Sequence, residues 1–115
     1  MLCHDRVMDV DGPCVLPEGA PVPEGMVDAG SAPSAERVAK SVATGKPVLV
    51  TLTIGTERGT GPDPGLLAAA SVYAWLGVRA FRAPEDQLPA LRQVLDMVAS
   101  IKGTRPPALS RRGLA

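Results

Sequence analysis

The sequence predicts an α/β protein built from repeated strand and helix units around a parallel sheet. From residue 26 onward, short apolar runs alternate with longer segments of helical periodicity, which is typical of βα repeats. The run at residues 47–54 is continuous and rich in β-branched side chains, as in a strand covered on both faces. Glycines follow the helical segments, and glycine ends a helix in the left-handed conformation at no steric cost. Three strands and three helices are expected.

The first strand and helix follow an irregular start of the chain. Residues 26–29 are a weak strand candidate, and Ser34 then offers a hydroxyl that can accept a hydrogen bond from the first turn of a helix. Val38 and the valine four residues later share one face of that helix. The helix is expected to stop at residues 44–45, before the strand at residues 47–54.

The later helices are recognised by their ends. Asp63 and Pro64 combine an N-cap residue with proline at the first helical position, so a helix is expected over residues 65–76. The strand predicted at residues 78–83 then leads to a last helix. The apolar stripe of that helix is predicted to contain Leu88, Leu91, Val94, Leu95, Val98 and Ile101.

Composition and charge exclude several classes of protein. The 115 residues carry 12 basic and 12 acidic side chains, so the chain lacks the excess of Lys and Arg that nucleic-acid phosphates require. No apolar stretch approaches the roughly 20 residues that cross a bilayer. We expect a cytoplasmic protein with no nucleic-acid or membrane partner. Residues 1–25 are rich in Pro and Gly and are predicted to be an irregular segment, separate from the βα portion at residues 26–115.

Three residues that often carry chemistry lie near the N-terminus. No apolar signal-peptide core precedes Cys3 and Cys14, so free thiols are expected rather than a disulfide. His4 has no base partner at a recognisable spacing and is expected to be exposed. A zinc site would need a fourth ligand at a spacing that matches no known finger, so no metal site is expected. The glycine-containing loop at residues 55–61 lacks the Gly-Lys-Ser/Thr sequence of a phosphate-binding loop.

Several runs resemble the C-terminal part of the dihydropteroate synthase family, most closely its divergent actinobacterial second paralogue. The runs are Gly-Lys-Pro-Val-Leu-Val at 45–50, Gly-Leu-Leu-Ala-Ala-Ala at 65–70, Gly-Val-Arg-Ala-Phe-Arg at 77–82, Val-Leu-Asp-Met-Val-Ala-Ser-Ile-Lys-Gly at 94–103, and the tail from Arg-Pro-Pro at 105–107 to Arg-Gly-Leu-Ala at 112–115. The resemblance implies a pterin-binding (β/α)8 barrel whose sixth to eighth strands are the three predicted here. The implied fold is therefore an incomplete, TIM-barrel-like structure made of the C-terminal three βα units.

The resemblance also implies site residues at the ends of these strands. Such synthases join 4-aminobenzoate to a dihydropterin diphosphate with the help of Mg2+ and release pyrophosphate. The Asp that binds the pterin corresponds to Asp28, and the Ser-x-Lys of the next strand corresponds to Thr53 and Gly55, so the hydroxyl is kept and the Lys is lost. The Arg-x-His that binds the diphosphate corresponds to Arg82 and Pro84. Pterin binding is thus implied for Asp28 and Thr53 and diphosphate binding for Arg82, with no catalytic residue.

The residues themselves leave plainer interpretations open. Asp28 is equally compatible with a solvated loop carboxylate, and Arg82 with a surface residue at a strand end. Arg58 lies in a polar loop and cannot be assumed to replace the lost Lys. No cofactor is expected, although the family uses Mg2+.

Three functions are compatible with these features. The lost Lys and His counterparts and the short chain favour a truncated, degenerate synthase-like protein that has no independent catalysis. Such a protein would pair with itself or with a partner barrel, since three parallel strands alone leave open edges and an uncovered face. The resemblance implies that the late helices form the contact. The alternative is a small-molecule binding module for a pterin or a phosphate ester. A working synthase is the least favoured.

Overall fold

The computed structural model describes residues 13–54 and 60–103. These residues form one parallel sheet with the strand order β1-β4-β3-β2. The strands are β1 (Cys14–Pro17), β2 (Val27–Ser31), β3 (Val48–Thr51) and β4 (Ala80–Ala83). The helices are α1 (Ala35–Val42), α2 (Pro64–Leu76) and α3 (Leu88–Lys102), and a 3-10 turn at Glu85–Gln87 precedes α3. The predicted α/β class with a parallel sheet is confirmed.

The helices begin and end where local chemistry favours it. The Ser34 hydroxyl accepts a hydrogen bond from the Arg37 amide at 3.1 Å, which caps α1. The Asp63 carboxylate accepts from the Gly65 amide at 3.1 Å, which caps α2. Gly77 ends α2 with a φ of 114°, a left-handed conformation that favours glycine. The predicted helix boundaries therefore agree with the structure to within a few residues.

The segment predicted to be irregular, residues 1–25, contains a strand. In β1, Cys14 lies opposite Ala80 of β4, and the Cys14 amide donates to the Arg79 carbonyl oxygen at 2.9 Å. A strand of only four residues that ends in proline shows no alternation of apolar and polar side chains. The hydrophobicity pattern therefore could not predict β1. β1 is first in the chain but lies beside the last strand. The described sheet thus has four strands instead of three, while the domain boundary after residue 25 stays a prediction.

The prediction of a free thiol at Cys14 is wrong. Cys14 is disulfide-bonded. Cys3, the other cysteine of the sequence, lies outside the described residues, as do His4 and residues 55–59 of the predicted glycine-containing loop. The spacing of two cysteines in an irregular-looking stretch carries no signal for their pairing.

Different parts of the chain pack against the two faces of the sheet. Val48, Val50 and Phe81 are buried on the face that packs against the helices. On the second face, a small apolar cluster consists of Cys14, Leu49 and Ala80 with the partly buried Leu16, Val22 and Met26 packed against it. Val22 and Met26 belong to the connection between β1 and β2, so this connection crosses the second face of the sheet. The prediction that the strand after residue 47 is covered on both faces is confirmed, although β3 is only four residues long.

Helices α2 and α3 pack against each other and leave an apolar surface outside. Leu91 and Leu95 of α3 are buried as predicted, but Ile101 is 67% exposed and does not belong to the buried stripe. The Lys102 ammonium donates to the carbonyl oxygens of Ala74 and Trp75 at 3.3 and 2.9 Å, so it caps the end of α2. The large exposed apolar side chains of the two helices, named here the apolar helix patch, are Val72, Trp75, Met97 and Ile101.

The side chain of Gln87 anchors the start of α2. Gln87 is fully buried, and its Oε1 accepts a hydrogen bond from the Asp63 amide at 2.8 Å. Its Nε2 donates to the Gly61 carbonyl oxygen at 3.1 Å. One amide side chain therefore joins the turn before α3 to the N-terminus of α2.

Candidate functional site

Three strands bring the side chains of Asp28, Thr51 and Arg82 together. Thr51 lies opposite Arg82 in the parallel register of β3 and β4, and Asp28 lies on the neighbouring strand β2. All three side chains meet on the second face of the sheet. Thr51 and Arg82 lie at the carboxyl-end edge of the sheet, whereas Asp28 is the second residue of β2. Open α/β sheets build their sites at this edge, because loops of several strands converge there.

The Arg82 guanidinium is held by three partners within the chain. Its Nε donates to Thr51 Oγ1 at 3.1 Å, its Nη1 to the Ala20 carbonyl oxygen at 2.8 Å, and its Nη2 to Asp28 Oδ2 at 3.2 Å. The Arg82 side chain is only 19% exposed. Arg82 therefore joins β4 to β3, to β2 and to the connection that follows β1.

The Asp28 carboxylate is also engaged at both of its oxygens. Oδ1 accepts from the Gly30 amide at 2.8 Å, a local turn that the side chain makes with its own backbone, and Oδ2 accepts from Arg82. The resemblance to the synthases implies two different ligands for Asp28 and Arg82. In this structure the two side chains form an ion pair with each other.

Thr53 lies outside this cluster. It is exposed, two residues beyond the end of β3, where the alternation of the strand no longer controls the direction of a side chain. The hydroxyl that contacts Arg82 belongs to Thr51, which faces Arg82 by strand register. A correct prediction of the register between β3 and β4 would have identified Thr51 as a partner of Arg82. No feature of the sequence identifies the Ala20 carbonyl oxygen as another partner. Ligand roles for Asp28, Thr53 and Arg82 stay predictions.

The donor set of the site does not suit Mg2+. Magnesium prefers several oxygen ligands in octahedral geometry. Within the described ranges, Asp28 is the one carboxylate hydrogen-bonded to Arg82, and no group of three or more His, Cys, Asp or Glu could bind a metal ion. Across the same ranges, no helix has the length and apolar character needed to span a membrane.

Three curated relatives share part of their sequence with the chain. The protein named inactive dihydropteroate synthase 2 from Mycobacterium leprae (strain TN) is 48% identical over 81 residues, which are 64% of this chain and 27% of that protein. Proteins of the same name from Mycobacterium tuberculosis (strain H37Rv) and Mycobacterium bovis are each 46% identical over 86 residues, 68% of this chain and 26% of theirs. The chain thus spans about a quarter of the length of these relatives. No protein-family model and no solved structure matches the chain.

Proposed function

The chain is dihydropteroate synthase-like over the stretch that it shares with the mycobacterial relatives, and we propose that it is a non-catalytic member of this group. One observation carries the proposal: the Arg82 guanidinium, which the resemblance assigns to the departing diphosphate, is bound to Asp28, Thr51 and the Ala20 carbonyl. An anionic ligand would have to displace an internal carboxylate. The relatives that match the chain are themselves named inactive.

Two lost side chains support the same proposal. Diphosphate release requires groups that stabilise the charge of the leaving group, usually preorganised donors or a metal ion. Pro84 occupies the position of the second anion-binding residue, and proline has neither a side-chain donor nor a backbone N–H. Gly55 occupies the position of the Lys. Of the Arg, His and Lys that the resemblance implies, this chain keeps only the arginine, Arg82. The ion pair with Asp28 neutralises the charge of Arg82.

The four-stranded sheet fits a portion of a barrel. In this proposal β2, β3 and β4, each followed by its helix, correspond to the sixth, seventh and eighth βα units of a (β/α)8 barrel. The first strand of a closed barrel lies next to the eighth. β1 pairs with β4 on the side away from β3, and therefore takes the place of that neighbouring strand.

Self-association through the apolar helix patch is the second part of the proposal. Its four side chains, on the packed helices α2 and α3, are each more than half exposed. Clusters of exposed apolar side chains mark interaction surfaces, and a two-fold dimer buries the same patch of both copies. We expect the partner to be a second copy of the chain, and association with a partner barrel is the competing outcome of the test.

A charge placed in the patch tests self-association. Size-exclusion chromatography with light scattering is expected to show a dimer for the wild type. Ile101→Glu is expected to raise the dimer dissociation constant about tenfold or more, because the charge becomes buried without a partner. Ala39→Glu, at an exposed position of α1, is the control and should leave the dimer intact. A wild-type monomer, or a dimer unaffected by Ile101→Glu, would contradict the proposal.

Calorimetric titration separates this proposal from the ligand-binding alternative. We expect no binding heat with a dihydropterin or with pyrophosphate, because the oxygens of Asp28 and the guanidinium of Arg82 are already hydrogen-bonded. Heat with either compound that disappears in Arg82→Met would instead support a binding module. A cytoplasmic location stays a prediction, and the disulfide at Cys14 argues against it, because disulfides are rare in that compartment.

A further inference from the structure

The connection between β1 and β2 is bounded by two identical turns. The sequence Pro-Glu-Gly occurs at residues 17–19 and again at 23–25. In each turn the amide of the next residue donates to the proline carbonyl oxygen, Ala20 to Pro17 at 3.1 Å and Met26 to Pro23 at 3.2 Å. The glycines have φ values of 106° and 88°, which the third position of such a turn requires. The segment at residues 18–26, named here the strap, therefore has a glycine turn near each end.

The strap contacts the sheet at a few defined points. Val22 and Met26 pack against the apolar cluster of the second face, which includes the fully buried Leu49 and Ala80. The carbonyl oxygen of Ala20 accepts the 2.8 Å hydrogen bond from Arg82. The strap thus lies over the same face of the sheet that carries the Arg82 cluster.

We propose that the strap is a built-in cover of the second sheet face and that the Arg82 hydrogen bond to Ala20 is its latch. This inference shares the Arg82–Ala20 hydrogen bond with the proposed function, but it does not require the chain to be non-catalytic. Most strap residues are exposed and the others are only half-buried, and segments of low burial open locally at lower cost than the rest of a fold. Proline at positions 21 and 23 removes backbone donors and stiffens the strap between its turns. The strap is therefore built to open as a unit about the two glycines.

Matched glycine variants test the latch without altering Arg82. Gly19→Ala places a side chain at a left-handed φ beside the latch, in open space, and should displace the Ala20 carbonyl. Gly45→Ala is the control, because Gly45 also has a left-handed φ of 88° and open space, but follows α1. Hydrogen exchange measured by mass spectrometry should be about fivefold faster over residues 20–26 in Gly19→Ala. In Gly45→Ala the exchange over these residues should stay at the wild-type rate.

A second variant keeps the inference testable if Gly19→Ala does not fold. Val22→Ser removes the apolar contact of the strap at a half-buried position, and should also accelerate exchange over residues 20–26. The fluorescence of an apolar dye should rise in both strap variants, because opening exposes the cluster around Leu49. The inference is overturned if the folded variants exchange at the wild-type rate over these residues. It is equally overturned if the wild-type strap exchanges as fast as an unstructured peptide.

Discussion

At the scale of single residues, Arg82 connects three separate parts of the fold to β4. Its three hydrogen bonds reach the adjacent strand β3, the next strand β2 and the strap. A charged side chain that is mostly buried costs free energy unless its buried donors find hydrogen-bond partners. Thr51, Asp28 and the Ala20 carbonyl supply those partners. Arg82 is consequently a structural residue in this chain.

Removing the guanidinium should therefore destabilise the fold. Arg82→Met keeps most of the apolar stem, but leaves Asp28 and the Ala20 carbonyl without their donor. We expect the free energy of unfolding to fall by about 2 kcal/mol, as for loss of a charged hydrogen-bonding group at a partly buried site. Urea denaturation followed by circular dichroism measures it. Arg92→Met, at an exposed position of α3, should change it by less than about 0.5 kcal/mol. Equal effects would refute the structural role.

Gln87 offers a second test at this scale. Gln87→Ala removes the acceptor of the Asp63 amide and the donor to the Gly61 carbonyl oxygen, both held by a fully buried side chain. A loss of about 1–3 kcal/mol in the free energy of unfolding is expected. The matched variant Gln93→Ala changes an exposed amide of α3 and should be nearly neutral. If both variants are neutral in the same denaturation experiment, Gln87 does not anchor α2.

At the scale of elements, the sequence predicts helices well and short strands poorly. Helix ends depend on single residues such as Ser34, Asp63 and Gly77, whose capping chemistry is local. β1 could not be predicted, because its stability comes from pairing with a strand more than 60 residues later. The same difference between local and long-range information applies to the candidate site. Asp28 and Arg82 were identified from the sequence, but their ion pair depends on the register of three strands.

The close approach of α1 to the end of α2 gives a prediction for glycine. A Cβ at Gly77 would lie 3.2 Å from Val42 Cγ1, whereas a Cβ at Gly103, which ends α3, would meet nothing within 4 Å. Both glycines have a left-handed φ, so Ala costs about 1 kcal/mol of backbone strain at each position. Gly77→Ala should lower the free energy of unfolding further than Gly103→Ala does. Thermal or urea denaturation of the pair checks this, and equal losses would contradict the close approach.

At the scale of the whole molecule, the chain covers both faces of its sheet with its own residues. Helices bury the first face, and the strap contributes to burying the second. An isolated piece of a barrel would leave its inner face open, which is why the sequence predicts a need for a partner there. The strap changes this expectation, because among the described residues the large exposed apolar side chains lie in the apolar helix patch.

The central claim is that Asp28 and Arg82, which the resemblance assigns to ligands, hold the fold together in this chain. The most direct test is pyrophosphate release by the purified chain with dihydropterin diphosphate, 4-aminobenzoate and Mg2+, measured beside an active full-length synthase. We expect the chain to release pyrophosphate at the rate of the protein-free control, while circular dichroism shows it to be folded. Release above that rate that is abolished in Arg82→Met would contradict the account, since Arg82 would then serve a substrate.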